Sequence, residues 1–361
     1  MQLRHIDAIR GVAVLMVVLV HTAQPVNGLS KFMLIIASYS QMGVQLFFVA
    51  SAYTLCLSAL RRGEERGFLK KYAFRRYFRI APAYYIALLM YWGLAVLEAY
   101  WKNAPYPVDY HWFNILTNVL FLHGFYPSAN NNIVPGGWSV GVEMAFYVVF
   151  PWLFALFQRW NQRGVWSTWL LVAAGVLVSQ GVIQWLVYRH GEIMANNTFL
   201  YYSLATQLPV FMTGMAYFFT EKNGLWRLPG YANMLLAFAL TCAAFLGCAA
   251  DMPYLFSLIP TVAAFAYMFL TEAFKKIRWL SPSWLVSVGK VSYSMYLVHF
   301  IFAWKIGELA APHLRSWMPD DILLWVWFGI SAFLSYHVAV WSERHIERPF
   351  IVWGKQWAER V

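Results

Sequence analysis

The chain has 361 residues, of which 61% are hydrophobic, 19% aromatic and only 12% charged. With a positive mean hydropathy, that composition excludes an ordinary soluble domain and a disordered chain, and it points to a polytopic membrane protein. A formal charge of +11 would suit nucleic acid, but the basic residues recur between apolar runs, so they read as a topology signal and no nucleic-acid partner is expected.

The first apolar run, residues 11–25, contains no Lys, Arg, Asp or Glu; Arg10 stands at its start and His21 near its end. On a helix the eleven steps between them cover roughly 16 Å, about half a hydrocarbon core. An ionisable residue inside a span is unfavourable enough to mark a role within the bundle or in a water-filled cavity. His21 is therefore a candidate site residue, with hydrogen bonding inside the bundle as the structural alternative. The following stretch, HTAQPVNG, offers no small-residue cleavage site, so the segment reads as an uncleaved first span.

Further apolar runs predict spans at 9–26, 41–60, 77–99, 138–158, 166–187, 199–220, 231–249, 254–272, 284–304 and 321–342, about ten in all. The run Trp112 to Phe125 is short and carries His123, which makes it interfacial or re-entrant. If it does not cross and both termini are cytoplasmic, most basic residues fall inside, from Arg4 and the block 61–79 to the basic tail. Lys31, Lys102, Arg189, Lys305 and Arg315 remain outside. Letting it cross would expel Arg159 and Arg163. No repeat or low-complexity linker divides the chain, so residues 1–361 are expected to form a single transmembrane domain without an appended soluble one. Cys56, Cys242 and Cys248 lie in apolar runs without ligand spacing and read as small buried side chains.

Within this frame a few segments carry chemistry. In GVQLFFVASAYTL, Ser51 and Tyr53 bring hydroxyls into a span. The stretch RRGEERGFLKKYAFRRYFRIAP reads as a basic cytoplasmic loop leading into the third span, with Pro82 in an early helical turn. Arg76 and Arg79, three apart, project from one helix face, and two forked guanidinium groups suit phosphate oxygens. The Asn130, Asn131 and Asn132 run, followed by Pro and Gly, marks a polar loop, with turn formation the simpler reading and sugar binding the other. GGWSVGVEMAFYVVFP places Glu143 inside a span, where a carboxylate needs a partner and a His is the natural one.

These segments, taken in order, resemble the acyltransferase 3 family, integral membrane enzymes that acylate glycans and other surface molecules. The leading signature is Arg10, ten residues, His21. The second is Arg76, two residues, Arg79. Trp138, Ser139 and Glu143 stand where the family places them. The family pattern Phe, Phe, two residues, Ser, Gly, Phe is met here by Ser51, Ala52 and Tyr53, with Ala52 in the place of Gly. VSYSMYLVHF supplies Ser292, Ser294, Tyr296 and His299, and ERHIERPF supplies Glu347 and Pro349. The resemblance runs from residue 6 to residue 350.

The resemblance implies an all-α enzyme of the cytoplasmic (inner) membrane that transfers an acyl group, most often acetyl, from acetyl-CoA to a hydroxyl of surface carbohydrate. No metal is required. Arg10, Arg76 and Arg79 would hold the donor at the cytoplasmic face. His21 would act as general base with Glu143 orienting it, and an acyl-His intermediate is equally allowed. Ser51, Tyr53, Trp138, Ser139 and His299 would lie beside the acceptor. A transporter or flippase of a polar metabolite would use the same intramembrane groups, and hydrolysis of acetyl-CoA by purified protein separates the two.

Overall fold

A computed structural model describes residues 3–190, 199–249 and 258–360, and every regular element among them is helical. In chain order the α-helices are α1 (Arg4–Ala23), α2 (Lys31–Ser40), α3 (Gly43–Arg62), α4 (Phe68–Trp101), α5 (Trp112–Val119), α6 (Gly137–Asn161), α7 (Trp166–His190) and α8 (Leu204–Lys222). They continue with α9 (Gly230–Ala249), α10 (Leu258–Lys276), α11 (Ser283–Lys290), α12 (Ser292–Phe300), α13 (Gly307–Leu314), α14 (Asp320–Ser342) and α15 (Arg348–Arg360). Two π-helical stretches, Ile301–Ile306 and Glu343–Glu347, join α12 to α13 and α14 to α15.

Among the described residues eight helices are long and apolar enough to cross a membrane, or nine if the bent pair Ser283–Lys290 and Ser292–Leu314 counts as one span. The chain is thus an all-helical, multi-pass protein. The expected span at 199–220 is present as α8 but falls outside that set. Its Thr206, Gln207, Thr213 and Thr220 are all buried, and a helix enclosed by protein has no need of an apolar surface. The expected span at 254–272 begins outside the described residues.

Three expectations change in detail. The basic stretch read as a loop is helical from Phe68 onward, as the start of the 34-residue α4. Pro82 therefore sits in a helix interior rather than an early turn, and its missing N–H is tolerated because neighbouring groups in a bundle satisfy the freed carbonyl. The span at 284–304 is broken at Val291, where its two parts bend by 72°. Cys56 is buried, but Cys242 is only partly so, and the side chain of Cys248 lies outside the described residues.

The helices fall into two compact units. The first comprises Met1–Ala50, Arg227–Asp251 and Val262–His345. At its centre α1 packs along α11 and α12, and α12 along α14. The α1–α11 crossing is a backbone contact: a Cβ on Gly289 would overlap the carbonyl oxygen of Asp7, and one on Gly11 would overlap that of Leu285. Glycine at these positions is what sets the register of Arg10.

The second unit comprises Ser51–Trp226, Met252–Thr261 and Ile346–Val361. In it α6 packs on α8, α7 and α4, and α15 lies along α4. Rows of aromatic rings fill the space. Phe146 stacks on Phe211 at 3.9 Å, Phe150 on Tyr72 at 5.9 Å, and Trp353 meets Phe78 edge-on at 5.0 Å.

Candidate active site

In the first unit α1 is continuous from Arg4 to Ala23, so the spacing of about 16 Å between Arg10 and His21 holds along one rigid axis. Eleven residues at about 100° each come back to within about 20° of the starting direction. Arg10 and His21 therefore share a face of α1. The His21 ring lies 4.0 Å from the Phe300 ring and 5.3 Å from that of His299, centroid to centroid. Gln24 is a hydrogen-bonding neighbour of His21, and the His21 Nδ1 is buried without a partner. His299 is fully buried. Its Nδ1 is 2.6 Å from the Tyr296 carbonyl oxygen, which only a protonated nitrogen can meet as a donor. That leaves Nε2 as the ring's acceptor, and it too is buried without a partner. The π-helical stretch begins two residues later, at Ile301.

In the second unit Glu143 occupies α6. Its Oε1 accepts a hydrogen bond from Ser51 Oγ at 2.7 Å and another from Tyr147 Oη at 2.6 Å. Arg76, on α4, holds its guanidinium carbon 5.7 Å from the Tyr147 ring and 5.9 Å from the Tyr72 ring. The Tyr72 hydroxyl donates to the carbonyl of Tyr147 at 3.1 Å. Arg76 Nε is buried without a partner. Among the described residues neither Arg76 nor Arg79 makes an ion pair, whereas the adjacent Arg75 is paired with Glu65 at 2.9 Å. Arg79 is within electrostatic range of the Tyr147 hydroxyl. Two of the five expected donor and catalytic residues, His21 and Arg10, thus belong to the first unit, and Arg76, Arg79 and Glu143 to the second.

The remaining candidates separate. Ser51 joins Glu143. Tyr53, two residues on and so on the other side of α3, donates its hydroxyl to Glu221 at 2.8 Å and stacks on Tyr217 at 5.1 Å. Trp138 is buried and stacks on Tyr202 at 4.5 Å. Ser139 Oγ donates to the Gly136 carbonyl at 3.0 Å and belongs to the opening turn of α6.

That opening turn is held by the short segment that sequence reasoning left as interfacial. Its α5 has eight residues, about 12 Å and too short to span. His123 is fully buried, stacks on Tyr84 at 5.8 Å, and places Nε2 2.9 Å from the Gly137 carbonyl oxygen, to which it donates. Burial pushes this imidazole below its ordinary value, against the opposing pull of the hydrogen bond to the Gly137 carbonyl. Gly141 makes room for it, since a Cβ there would stand 2.6 Å from His123 Nε2. Asn131 accepts from the Gly136 N–H at 3.0 Å, and Asn132 donates to the Ser128 carbonyl at 2.8 Å, so two of the three asparagines build turns. The sequence marks His123 only as a reason for the segment not to cross, and does not mark Tyr147. The signal for Tyr147 was its place four residues after Glu143, on the same helix face.

Among the described residues no three His, Cys, Asp or Glu side chains gather into a metal-holding group. The chemistry on offer is an imidazole with a free nitrogen, a hydrogen-bonded carboxylate, and, among the described residues, two guanidinium groups, Arg76 and Arg79, without an ion pair. The sequence profile of the acyltransferase domain family matches residues 3–344.

The chain belongs to the acyltransferase 3 family.

Curated relatives agree at low identity. The chain is 23% identical over 279 residues to acyltransferase MdmB of Streptomyces mycarofaciens, covering 74% of this chain and 69% of that one. It is 24% identical over 345 residues to peptidoglycan O-acetyltransferase OatA of Listeria monocytogenes, covering 85% of this chain and 51% of the relative. It is 27% identical over 330 residues to nodulation protein 10 of Rhizobium leguminosarum bv. viciae, covering 84% and 82%. The match spans about half the length of the Listeria protein. No solved structure matches the chain.

Proposed function

We propose that this protein is a membrane O-acyltransferase that moves an acyl group, acetyl in the simplest case, from cytosolic acyl-CoA to a hydroxyl of extracytoplasmic carbohydrate. Both termini are cytoplasmic and the protein resides in the inner membrane. One observation carries the reading: a cation and a half-buried imidazole with a free nitrogen share one face of one helix, about 16 Å apart. That distance is of the order of an extended pantetheine arm, so a donor whose phosphates meet Arg10 can present its thioester at the depth of His21. Arg76 and Arg79, which carry no ion pair among the described residues, are proposed to receive the remaining phosphate charge. The matched relatives named as acyltransferase and O-acetyltransferase support the reaction class.

His21 takes the proton of the acceptor hydroxyl as its oxygen attacks the thioester carbonyl. The C–S bond breaks, the thiolate leaves, and the imidazolium returns the proton to it, so that alcohol and thioester become ester and thiol. Glu143 is the second catalytic group and remains an anion fixed in place by two hydroxyl donors.

The test uses proteoliposomes with one fixed orientation, labelled acetyl-CoA on the arginine side and impermeant oligosaccharides from the cell surface trapped on the other. Label should appear on the trapped sugar. If ester forms only when donor and sugar share a compartment, transfer across the membrane is wrong. Movement of unhydrolysed donor or sugar with no ester formed would make the protein a transporter.

A further inference from the structure

We propose that Tyr147 is a positioning residue that keeps the Arg76 guanidinium and the Glu143 carboxylate apart while linking them, so that Arg76 stays open to an anionic donor and Glu143 stays fixed for catalysis. This rests on the reading that both groups belong to the active site.

A cation and a carboxylate on neighbouring helices would ordinarily close into an ion pair, yet among the described residues Arg76 and Glu143 form none. Tyr147 contacts both. Its ring carries the guanidinium at 5.7 Å, and its hydroxyl donates to Glu143 Oε1 at 2.6 Å. The Tyr72 hydroxyl bonds the Tyr147 carbonyl at 3.1 Å while the Tyr72 ring lies 5.9 Å from the same guanidinium.

An aromatic face attracts a cation without neutralising it. Arg76 is thereby held in place with its charge uncompensated and its Nε unpartnered. The contrast is Arg75, one residue away, whose charge is spent on Glu65. On the carboxylate, the Ser51 and Tyr147 hydroxyls converge on the same oxygen. A carboxylate offers about four acceptor positions on two oxygens, so loading two donors onto Oε1 fixes its plane and reserves Oε2. Tyr147 is buried, and Phe would fill its place in the core equally well. The hydroxyl is there for Glu143.

The experiment measures release of thiol from acetyl-CoA by the full-length chain in nanodiscs. Tyr147→Phe keeps the spacer and the ring but removes the hydroxyl: kcat should fall about 10-fold with the donor KM changed less than about 2-fold. Tyr147→Ala removes the spacer, so Arg76 and Glu143 can pair; the donor KM should rise about 10-fold or more in addition to the loss in kcat. In a Glu143→Gln background, Tyr147→Phe should change the residual kcat less than about 2-fold, because its effect passes through the carboxylate. A merely structural tyrosine would instead lower thermal midpoint and active fraction and add its full effect in that background. Wild-type kcat in Tyr147→Phe, or full additivity with Glu143→Gln, overturns the proposal. Wild-type turnover in Glu143→Gln overturns the underlying assignment of the site, and the proposal with it.

Discussion

The candidate groups in the two units, the His21 and His299 imidazoles and the Glu143 carboxylate, are held in opposite ways. In the first, the imidazoles of His21 and His299 are enclosed by rings, and each keeps a buried nitrogen without a partner. In the second, the Glu143 carboxylate is bound by two hydroxyls on one oxygen, and the tyrosine that supplies one of them is itself braced by Tyr72. In the proposed mechanism a base must keep a lone pair for the reaction, and the unpartnered Nδ1 of His21 would serve that end at the cost of an unsatisfied atom. The proposed role of Glu143 needs an immobile group, and its two donors would supply that. On that reading the open lone pair and the pinned carboxylate answer two different chemical tasks.

The largest effect expected from this contrast is at His21. His21→Ala should remove turnover by about 10²–10⁴-fold, the usual contribution of a positioned base, without loss of folded protein, while Glu143→Gln keeps a measurable residual rate. Steady-state kinetics beside thermal unfolding of both variants checks it. Equal losses in the two would dissolve the distinction, and wild-type turnover in a folded His21→Ala protein would remove the base.

A smaller effect belongs to the arginines. Arg79→Ala, followed by Arg76→Ala and Arg10→Ala, should weaken donor binding by about 1.5–3 kcal/mol each, or about 10- to 100-fold. Arg79→Lys should fall between wild type and Ala, since a point charge replaces the charge but not the fork. Titration of acetyl-CoA into each variant reads this directly, and His21→Ala should bind donor nearly as wild type does. Unchanged affinity in all three Ala variants would return the arginines to a purely topological role.

The smallest effect tests the scaffold of the pinned side. Gly141→Ala forces a methyl group against His123 and should cost about 1–3 kcal/mol of stability, as over-packing usually does, read as a lowered thermal midpoint. Gly181→Ala, where nothing lies within 4 Å, is the matched control and should show no such loss.

The all-helical, multi-pass architecture was legible because lipid demands long apolar runs, and ten such runs are plain in the residues. Where a helix is shielded by protein that demand lapses, which is why α8, although found near the expected 199–220, is not among the helices apolar enough to cross. The interior position of Pro82 was hidden because the basic stretch before it, with Lys70 and Lys71, reads as a loop leading into the span, yet from Phe68 onward it belongs to the same helix as the apolar run. Of the candidate site, the residue types and spacing that single out His21, Arg10, Arg76, Arg79 and Glu143 are visible in the sequence. Their immediate partners are not. Ser51 stands 92 residues from Glu143, and a pairing at that separation leaves no local periodicity to read. Nor is Glu221, the partner of the Tyr53 hydroxyl 168 residues away, readable from sequence. Tyr147 is a different case: its spacing from Glu143 was visible, but a tyrosine in an aromatic-rich span carries no mark that sets it apart from packing.

The π-helical stretch Ile301–Ile306 beyond His299 has a bearing on how this span can be edited. Each π hydrogen bond encloses one residue more than an α one, so the segment acts as a built-in insertion worth about 100° of rotation. The face that α12 presents is therefore out of phase with the face that α13 presents. Removing a single residue between 301 and 306 would not simply shorten the helix by about 1.5 Å; it would restore α winding and turn the whole of α13 about its own axis relative to His299. In this span, chain length works as an angular setting.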